Sequence, residues 1–451
     1  MFFSDITFIL IFILIFIPIY AYIPSAAKRF ALLLGGLVFY ALNDIIVLPF
    51  LVADIVIVFF LCRLIEHAFD KPRLRSGLLW FGIILQLILW ICPVIFKHHI
   101  FIGIGFFVVQ FIGYILDVYK GAHPASRNIL NFANYIMFFP KILQGPIVRF
   151  SDLEESFTEP KPINPAKLEK GIRIFILGMS YKVLLADRLN SLWNGVQTVG
   201  FQSLSTPLTW ISMYSYSIQL FLDFQGYSLM AIGVAYMLGF SLPNNFQNPY
   251  LSRSIGDFYR RWHITLGQWF KTYIYIPMGG SRKGTMRTIL SLSAVWFATG
   301  LWHGFTLNYL MWAGLLLICI ILEKTLFKKV VKSNNIFAKL IGHLYVLFVI
   351  PISWMLFAIP DTDRIFIFFT RLFDLRNLFM PINVNNTDYI TYLYDYWPYL
   401  LGGTICCFPL AENILVKTRV SMTRFISFAL FWLCIYVIMI NGNNPFMYIN
   451  F

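Results

Sequence analysis

Thirteen apolar runs, at roughly 6–23, 30–42, 45–62, 77–96, 100–118, 171–186, 208–222, 226–240, 287–301, 303–323, 338–359, 395–413 and 424–441, are separated by connectors that collect lysine and arginine. None alternates apolar and polar residues as a barrel strand does, so the pattern predicts helices in lipid. A spanning helix needs ~20 apolar residues; the shorter runs therefore tilt, pair or re-enter. The expected fold class is all-α, a polytopic integral membrane protein of about 11–13 membrane helices with short or re-entrant helices among them. The first run, Ile6 to Ile23, has no basic segment before it and no small-residue cleavage site after it, so it is expected to be a retained span. No internal repeat, low-complexity segment or soluble domain interrupts the pattern, and one domain over 1–451 is expected. The longest polar stretch, Ser151 to Lys170, contains Pro160, Pro162 and Pro165 and is predicted to be a loop.

Composition agrees: 59% of residues are hydrophobic and 12% charged, against about 25% charged in soluble domains. This excludes a water-soluble enzyme, a disordered chain and a disulfide scaffold. The net charge of +14 would suggest nucleic acid on a soluble protein. Here the cations sit in short connectors, as the positive-inside rule expects, and no nucleic-acid partner is predicted. Placing Lys28-Arg29 and Lys71 to Arg75 inside puts the N-terminus outside. Six cysteines lack a C-x-x-C spacing, and Cys62, Cys92, Cys319 and Cys434 lie inside apolar runs; they are expected to be small buried hydrophobes.

Two segments break the apolar pattern. Residues 129–150 are interrupted by Pro140, Lys141, Gln144, Gly145 and Pro146, and residues 243–287 carry Asn244, Asn245, Gln247, Asn248, Arg253, Asp257, Arg260, Arg261, His263, Lys271 and more. Polar, broken helix at membrane depth persists where protein buries it or where it lines a watery cavity, so chemistry is expected here.

The seven histidines divide accordingly. His98 and His99 beside Lys97, and His67, His123 and His343, stand in connectors or near the start of a span; none has metal-ligand spacing, and no metal is expected. His303 stands in ATGLWHGF at the junction of two apolar runs, flanked by Gly300 and Gly304. It is either a functional ionisable group or a structural histidine bonded to a carbonyl between two helices. His263 lies in DFYRRWHITLGQWFKTYIYIP. Helical spacing puts Arg260, His263, Gly267 and Lys271 on one stripe and Trp262, Leu266, Trp269 and Tyr273 on another. An interfacial amphipathic helix with a tryptophan belt and snorkelling cations fits that stripe well, but does not explain its place between two long apolar blocks or its Pro-Met-Gly-Gly end. Gly103-Ile104-Gly105 lacks the third glycine of a dinucleotide fingerprint, and Asn385-Asn386-Thr387 is a glycosylation sequon only in a secretory eukaryotic setting.

The assembled motifs resemble the membrane-bound O-acyltransferase family, in its bacterial branch of alginate and peptidoglycan O-acetyltransferases. The resemblance rests on GIGFFVVQFIGYILDVYKG (103–121), FFPKILQGPIVRF (138–150) and YSIQLFLDFQGYSLMAIGVAYMLGF (216–240). It continues in PNNFQNPYLSRSIGDFYRRWHITLGQWFKTYIYIPMGGSRKG (243–284), GLWHG (300–304) and the terminal NPFMYINF (444–451). It implies a helical bundle around a central funnel, with a core catalytic region at about 129–323. His303 matches the family's catalytic histidine and His263 its second active-site polar residue. Leu229, and Lys271-Thr272 before YIP, depart from the family pattern by removing carboxylates.

Acyl transfer to a hydroxyl needs a base for the acceptor proton and stabilisation of the oxyanion. His303 is the expected base and His263 the orienting group. Arg260, Arg261 and Lys271 are expected to attract a phosphate-bearing donor, acetyl-CoA or another acyl thioester, and Trp302 and Asn248 complete the substrate-binding set. No permanently bound cofactor is expected. The expected partners are membrane lipid, the thioester donor, a cell-envelope polysaccharide acceptor and an extracytoplasmic esterase-like protein, at the inner (plasma) membrane. Transfer of D-alanine to teichoic acids is the alternative within the family. A transporter of acyl groups or lipid-linked sugars is the alternative outside it, against which the missing repeat speaks.

Overall fold

The computed structural model describes residues 2–95, 102–160, 162–374, 387–417 and 421–441. Lys97, His98, His99, Asn385, Asn386 and the terminal motif 444–451 lie outside the described residues. No strand occurs among the described residues, as the pattern predicts. Among the described residues, seven helices are long and apolar enough to cross a membrane, and a pair bent by 71° makes an eighth if counted as one span. The protein is therefore a multi-pass membrane protein, its remaining apolar runs being shorter or more polar helices. Backbone contacts group the described residues into two compact units, those within 2–176 and 227–244, and those within 177–226 and 245–441.

The first unit contains α1 (Ile6–Tyr22), α2 (Ser25–Asp44), α3 (Leu48–His67), α4 (Pro72–Ile95), α5 (Ile104–Tyr119), α6 (Ile129–Met137), α7 (Phe150–Thr158) and most of α8 (Pro165–Ser180). Its core is aromatic. Phe8 stacks on Phe12 at 5.1 Å, and Phe39 and Phe139 close the cluster at 5.8 Å. Gly36 lets α2 approach α6, because a side chain there would collide with the Met137 carbonyl. Inside this unit, Gln86 on α4 donates to the Asp54 carboxyl on α3 at 2.8 Å. Lys141, in the broken 138–146 segment, donates to Gln110 and lies 3.8 Å from the centre of the Tyr135 ring.

Two expectations need correction. The stretch from Ser151 is not all loop, since α7 occupies Phe150–Thr158. Phe150, Leu153 and Phe157 fall on one buried face, and the Asp152 carboxylate accepts from the Arg149 amide at 3.1 Å. The runs 208–222 and 226–240 are not two spans but one helix of 32 residues, Thr206–Met237. The intervening Asp223 does not break it, because Lys182 meets Asp223 and Asp187 at 2.7 Å each. Gly226 stays helical because it permits close approach: a Cβ there would lie 2.7 Å from the Gly178 carbonyl oxygen.

The second unit continues with α9 (Asp187–Val199), the first part of α10 (Thr206–Met237), α11 (Ile255–Arg261) and α12 (Ile264–Phe270). After them come α13 (Thr285–His303), α14 (Leu307–Lys324), α15 (Ile336–Ala358) and α16 (Thr362–Leu372). The bent pair α17 (Asp388–Cys406) and α18 (Leu410–Val416) and then α19 (Ser421–Asn441) complete it. Both histidines singled out by the sequence belong to this unit.

Candidate active site

The segment carrying His263 is not one amphipathic helix. Two short helices, α11 and α12, meet at Trp262-His263, where His263 adopts the left-handed conformation with φ 45°. The only other non-glycine residue with positive φ among those described is Asn248, at 47°. Such backbone costs free energy of about 1–3 kcal/mol and persists when its surroundings over-determine it. Here the surroundings are hydrogen bonds. The Ile264 amide donates to the Asn245 carbonyl and the Gln247 amide to the Arg261 carbonyl, each at 2.9 Å. The Thr265 hydroxyl donates to the Asn245 side-chain oxygen at 2.6 Å. The loop 245–247 thus clamps both sides of His263, and the stripe that joins it to Gly267 and Lys271 is broken.

The start of α11 is held as firmly. The Ser254 hydroxyl accepts from the Asp257 amide at 3.0 Å, and Glu323 on α14 accepts from the amides of Ile255 and Gly256, the latter at 2.9 Å. A carboxylate at a helix N-terminus meets unpaired N–H groups and the positive end of the helix dipole. His343 on α15 donates through Nδ1 to the Ser252 carbonyl at 3.0 Å. The Tyr250 hydroxyl donates to the Ser217 carbonyl at 2.7 Å. Three helices therefore fix the segment that leads into His263.

His303 is the last residue of α13, and Gly304 follows with φ 151°. A side chain at position 304 would meet the Tyr309 ring at 2.5 Å, so the turn that swings α13 into α14 beside His303 requires glycine. The imidazole stands among rings: Trp302 at 4.8 Å, Trp312 and Phe357 at 5.1 Å each, and Tyr309 at 6.2 Å between centroids. His263 meets Phe224 edge-on at 4.8 Å and Trp302 at 6.2 Å. Trp302 is thus common to both histidines, which are only 5% and 8% exposed.

Around this pair the second unit is a continuous aromatic wall. Trp262 lies 4.9 Å from Trp354, which stacks on Trp312 at 5.9 Å, and Tyr259 meets Trp296 at 4.8 Å. Asn308, almost fully buried, donates to the Phe357 carbonyl at 3.1 Å and fixes the backbone beneath the ring against His303. Two imidazoles in such surroundings can exchange protons with a hydroxyl while bulk water is excluded.

The structure brings together His263, His303 and Trp302 and leaves the predicted cations apart. Arg260 and Arg261 both turn to Asp257, each at 3.2 Å, Arg260 being largely exposed. Lys271 is exposed, on the turn that continues α12. Asn248 occupies its strained turn just before Pro249. Sequence reasoning missed the second ring set, Tyr309, Trp312, Trp354 and Phe357, because aromatic residues at helical spacing in an apolar run look like ordinary core. It also set His343 aside; only folding brings α15 to Ser252.

Residues 118–357 match the membrane-bound O-acyltransferase family, a span that contains every ring and both histidines of this site. The chain belongs to that family. It is 34% identical over 70% of its length to a protein named as a probable alginate O-acetylase from Pseudomonas fluorescens, covering 64% of that protein. It is 30% identical over 78% of its length to a peptidoglycan O-acetyltransferase of Helicobacter pylori, covering 77% of it. A teichoic acid D-alanyltransferase of Lacticaseibacillus rhamnosus is 30% identical over 48% of the chain and is covered over 58% of its length. The chain spans less than two thirds of the length of the Pseudomonas relatives it matches.

Proposed function

We propose that this membrane-bound O-acyltransferase family member moves an acetyl group from a cytoplasmic thioester donor to hydroxyls of a cell-envelope or extracellular polysaccharide. The observation that carries the proposal is the pair of buried imidazoles sharing Trp302. In this reading His303 accepts the acceptor hydroxyl proton as the oxygen attacks the donor carbonyl, and His263 orients the acyl group. Acetyl-CoA supplies the activated acyl group. The carbonyl develops oxyanion character, the thiolate leaves, and the histidine returns the proton to it. The aromatic wall keeps water from hydrolysing the thioester. Arg260 and Arg261 serve the approach of a phosphate-bearing donor through the outer field, since Asp257 offsets part of their charge at short range. An extracytoplasmic esterase-like protein is the proposed partner; where it relays the group, its own hydroxyl is the acceptor at His303 and it then passes the acetyl on to a polymer hydroxyl. No resident cofactor has a role in this scheme.

General base catalysis contributes typically 10²–10⁴-fold. His303→Ala is expected to keep normal abundance and to lower acetyl incorporation into glycan at least about a hundredfold. His303→Gln, which fills the space but takes no proton at neutral pH, is expected to be as inactive. A Gln variant with most of its activity would remove His303 from the role of base. The D-alanyl reading draws on the teichoic acid relative; D-alanine incorporation with no acetyl incorporation by the same membranes would favour it.

A further inference from the structure

Away from the two histidines, the second unit holds a half-open cavity of about 590 Å³ lined by Trp210, Tyr214, Ile218, Leu347, Leu400 and Phe408 among others. That size lies within the ~300–1,000 Å³ of small-molecule sites, and neither His263 nor His303 lines it. Its walls come from α10, α15 and α17. These are membrane-crossing helices by length and composition, α17 as the first limb of the bent pair. The outer faces of α15 and α17 expose Leu340, Leu344, Phe348, Trp397 and Leu401. Apolar surface therefore runs from the lining onto faces suited to hydrocarbon. A dry apolar space of this size forfeits dispersion contacts with its walls, and water finds few partners in it.

Three polar groups of the lining, Ser217, Tyr250 and His343, belong or bond to the segment 250–252. Ser217 and Tyr250 bond each other through their hydroxyls at 2.8 Å, and His343 donates from Nδ1 to Ser252. Because a carbonyl only accepts, that bond places a proton on Nδ1. Thr404 adds a hydroxyl from α17, but it is already committed to the Leu400 carbonyl at 2.7 Å. A long apolar lining with one small polar end matches a chain that carries an ester or hydroxyl at its head.

We propose that this cavity binds one acyl chain of a glycerophospholipid drawn from the surrounding bilayer, with its polar end against Tyr250 and His343. Tyr250 also meets Phe258 edge-on at 5.5 Å, so the bound chain braces the segment that carries His263. The site is separate from the reaction centre and does not depend on the acyl-transfer reading.

The test uses the full chain in vesicles of phosphatidylethanolamine and phosphatidylglycerol doped with a phospholipid bearing a diazirine on one acyl chain. Photolysis followed by peptide mapping is expected to mark the linings from α15 and α17, and unlabelled phospholipid should compete. Thr404→Phe fills space for about two methylenes and is expected to lower that labelling roughly tenfold, while labelling of the outer faces stays constant. Leu400→Ala, which enlarges the cavity, should keep the labelling and guards against a folding failure of the first variant. Uniform labelling unaffected by either competitor or Thr404→Phe would overturn the proposal. Competition by an acyl thioester but not by phospholipid would also overturn it, assigning the cavity to the donor instead.

Discussion

Two residues show how single positions carry this structure. Gly304 combines a backbone conformation that side chains rarely adopt with the Tyr309 ring 2.5 Å from where a Cβ would stand. Gly304→Ala should therefore displace His303 and cost about 1–3 kcal/mol. We expect lower activity and a lower melting temperature in detergent, with Gly304→Ala/Tyr309→Ala regaining only the steric part. Unchanged activity in the single variant would show that the turn has room to relax. Lys182 lies between Asp187 and Asp223, both at 2.7 Å, and is itself 2% exposed. Removing one member of a buried ionic cluster leaves uncompensated charge, at about 3–5 kcal/mol. Lys182→Met should lower folded yield and melting temperature. Replacing all three residues with apolar ones should recover much of the loss, because the cost lies in the unbalanced charge rather than in the missing bonds.

At the scale of elements, the kink between α11 and α12 decides where His263 points. It is made by tertiary hydrogen bonds, and the Thr265–Asn245 bond at 2.6 Å is the side-chain member of that set. Thr265→Val keeps the shape and leaves the Asn245 oxygen without that donor, a loss of about 1–3 kcal/mol when buried. The expected result is a drop in acetyl transfer larger than the drop in abundance, with Thr265→Ser restoring both. Equal falls in activity and abundance would mean that the bond serves general stability alone. The predicted stripe of Arg260, His263, Gly267 and Lys271 assumed unbroken 3.6-residue periodicity. A single left-handed residue cancels it, and nothing in the local sequence marks His263 for that conformation. The long α10 fails the opposite expectation: Asp223 and Gly226 look like breakers until Lys182 and the Gly178 backbone are brought beside them.

For the whole molecule, the basic clusters carry the topological prediction. Lys28 lies in the first turn of α2, its ammonium 5.4 Å from the Tyr20 ring. Arg73 and Arg75 open α4, and Arg75 donates to the Tyr119 carbonyl. These helix ends belong on the cytoplasmic side if positive charge is retained inside, which places the N-terminus outside. In a cysteine-free background, a cysteine at position 2 should react with an impermeant reagent in intact cells, and one at position 73 only after lysis. The reverse pattern would invert the assignment.

Apolar runs near twenty residues long, with cations gathered between them, determine a helical membrane protein, because lipid offers the backbone no other hydrogen-bonding partner. The spacing of polar residues through 243–287 and the glycines around His303 likewise mark the chemically interesting segments, since ionisable groups in apolar runs are costly to keep. The pairing of His263 with His303 across Trp302, the ring set from α14 and α15, and the clamp from residues 245–247 were decided only by tertiary structure. Each joins residues tens of positions apart, and sequence periodicity describes only the face of one helix. Which faces meet is settled by packing, by buried hydrogen bonds and by glycines that admit a neighbouring backbone.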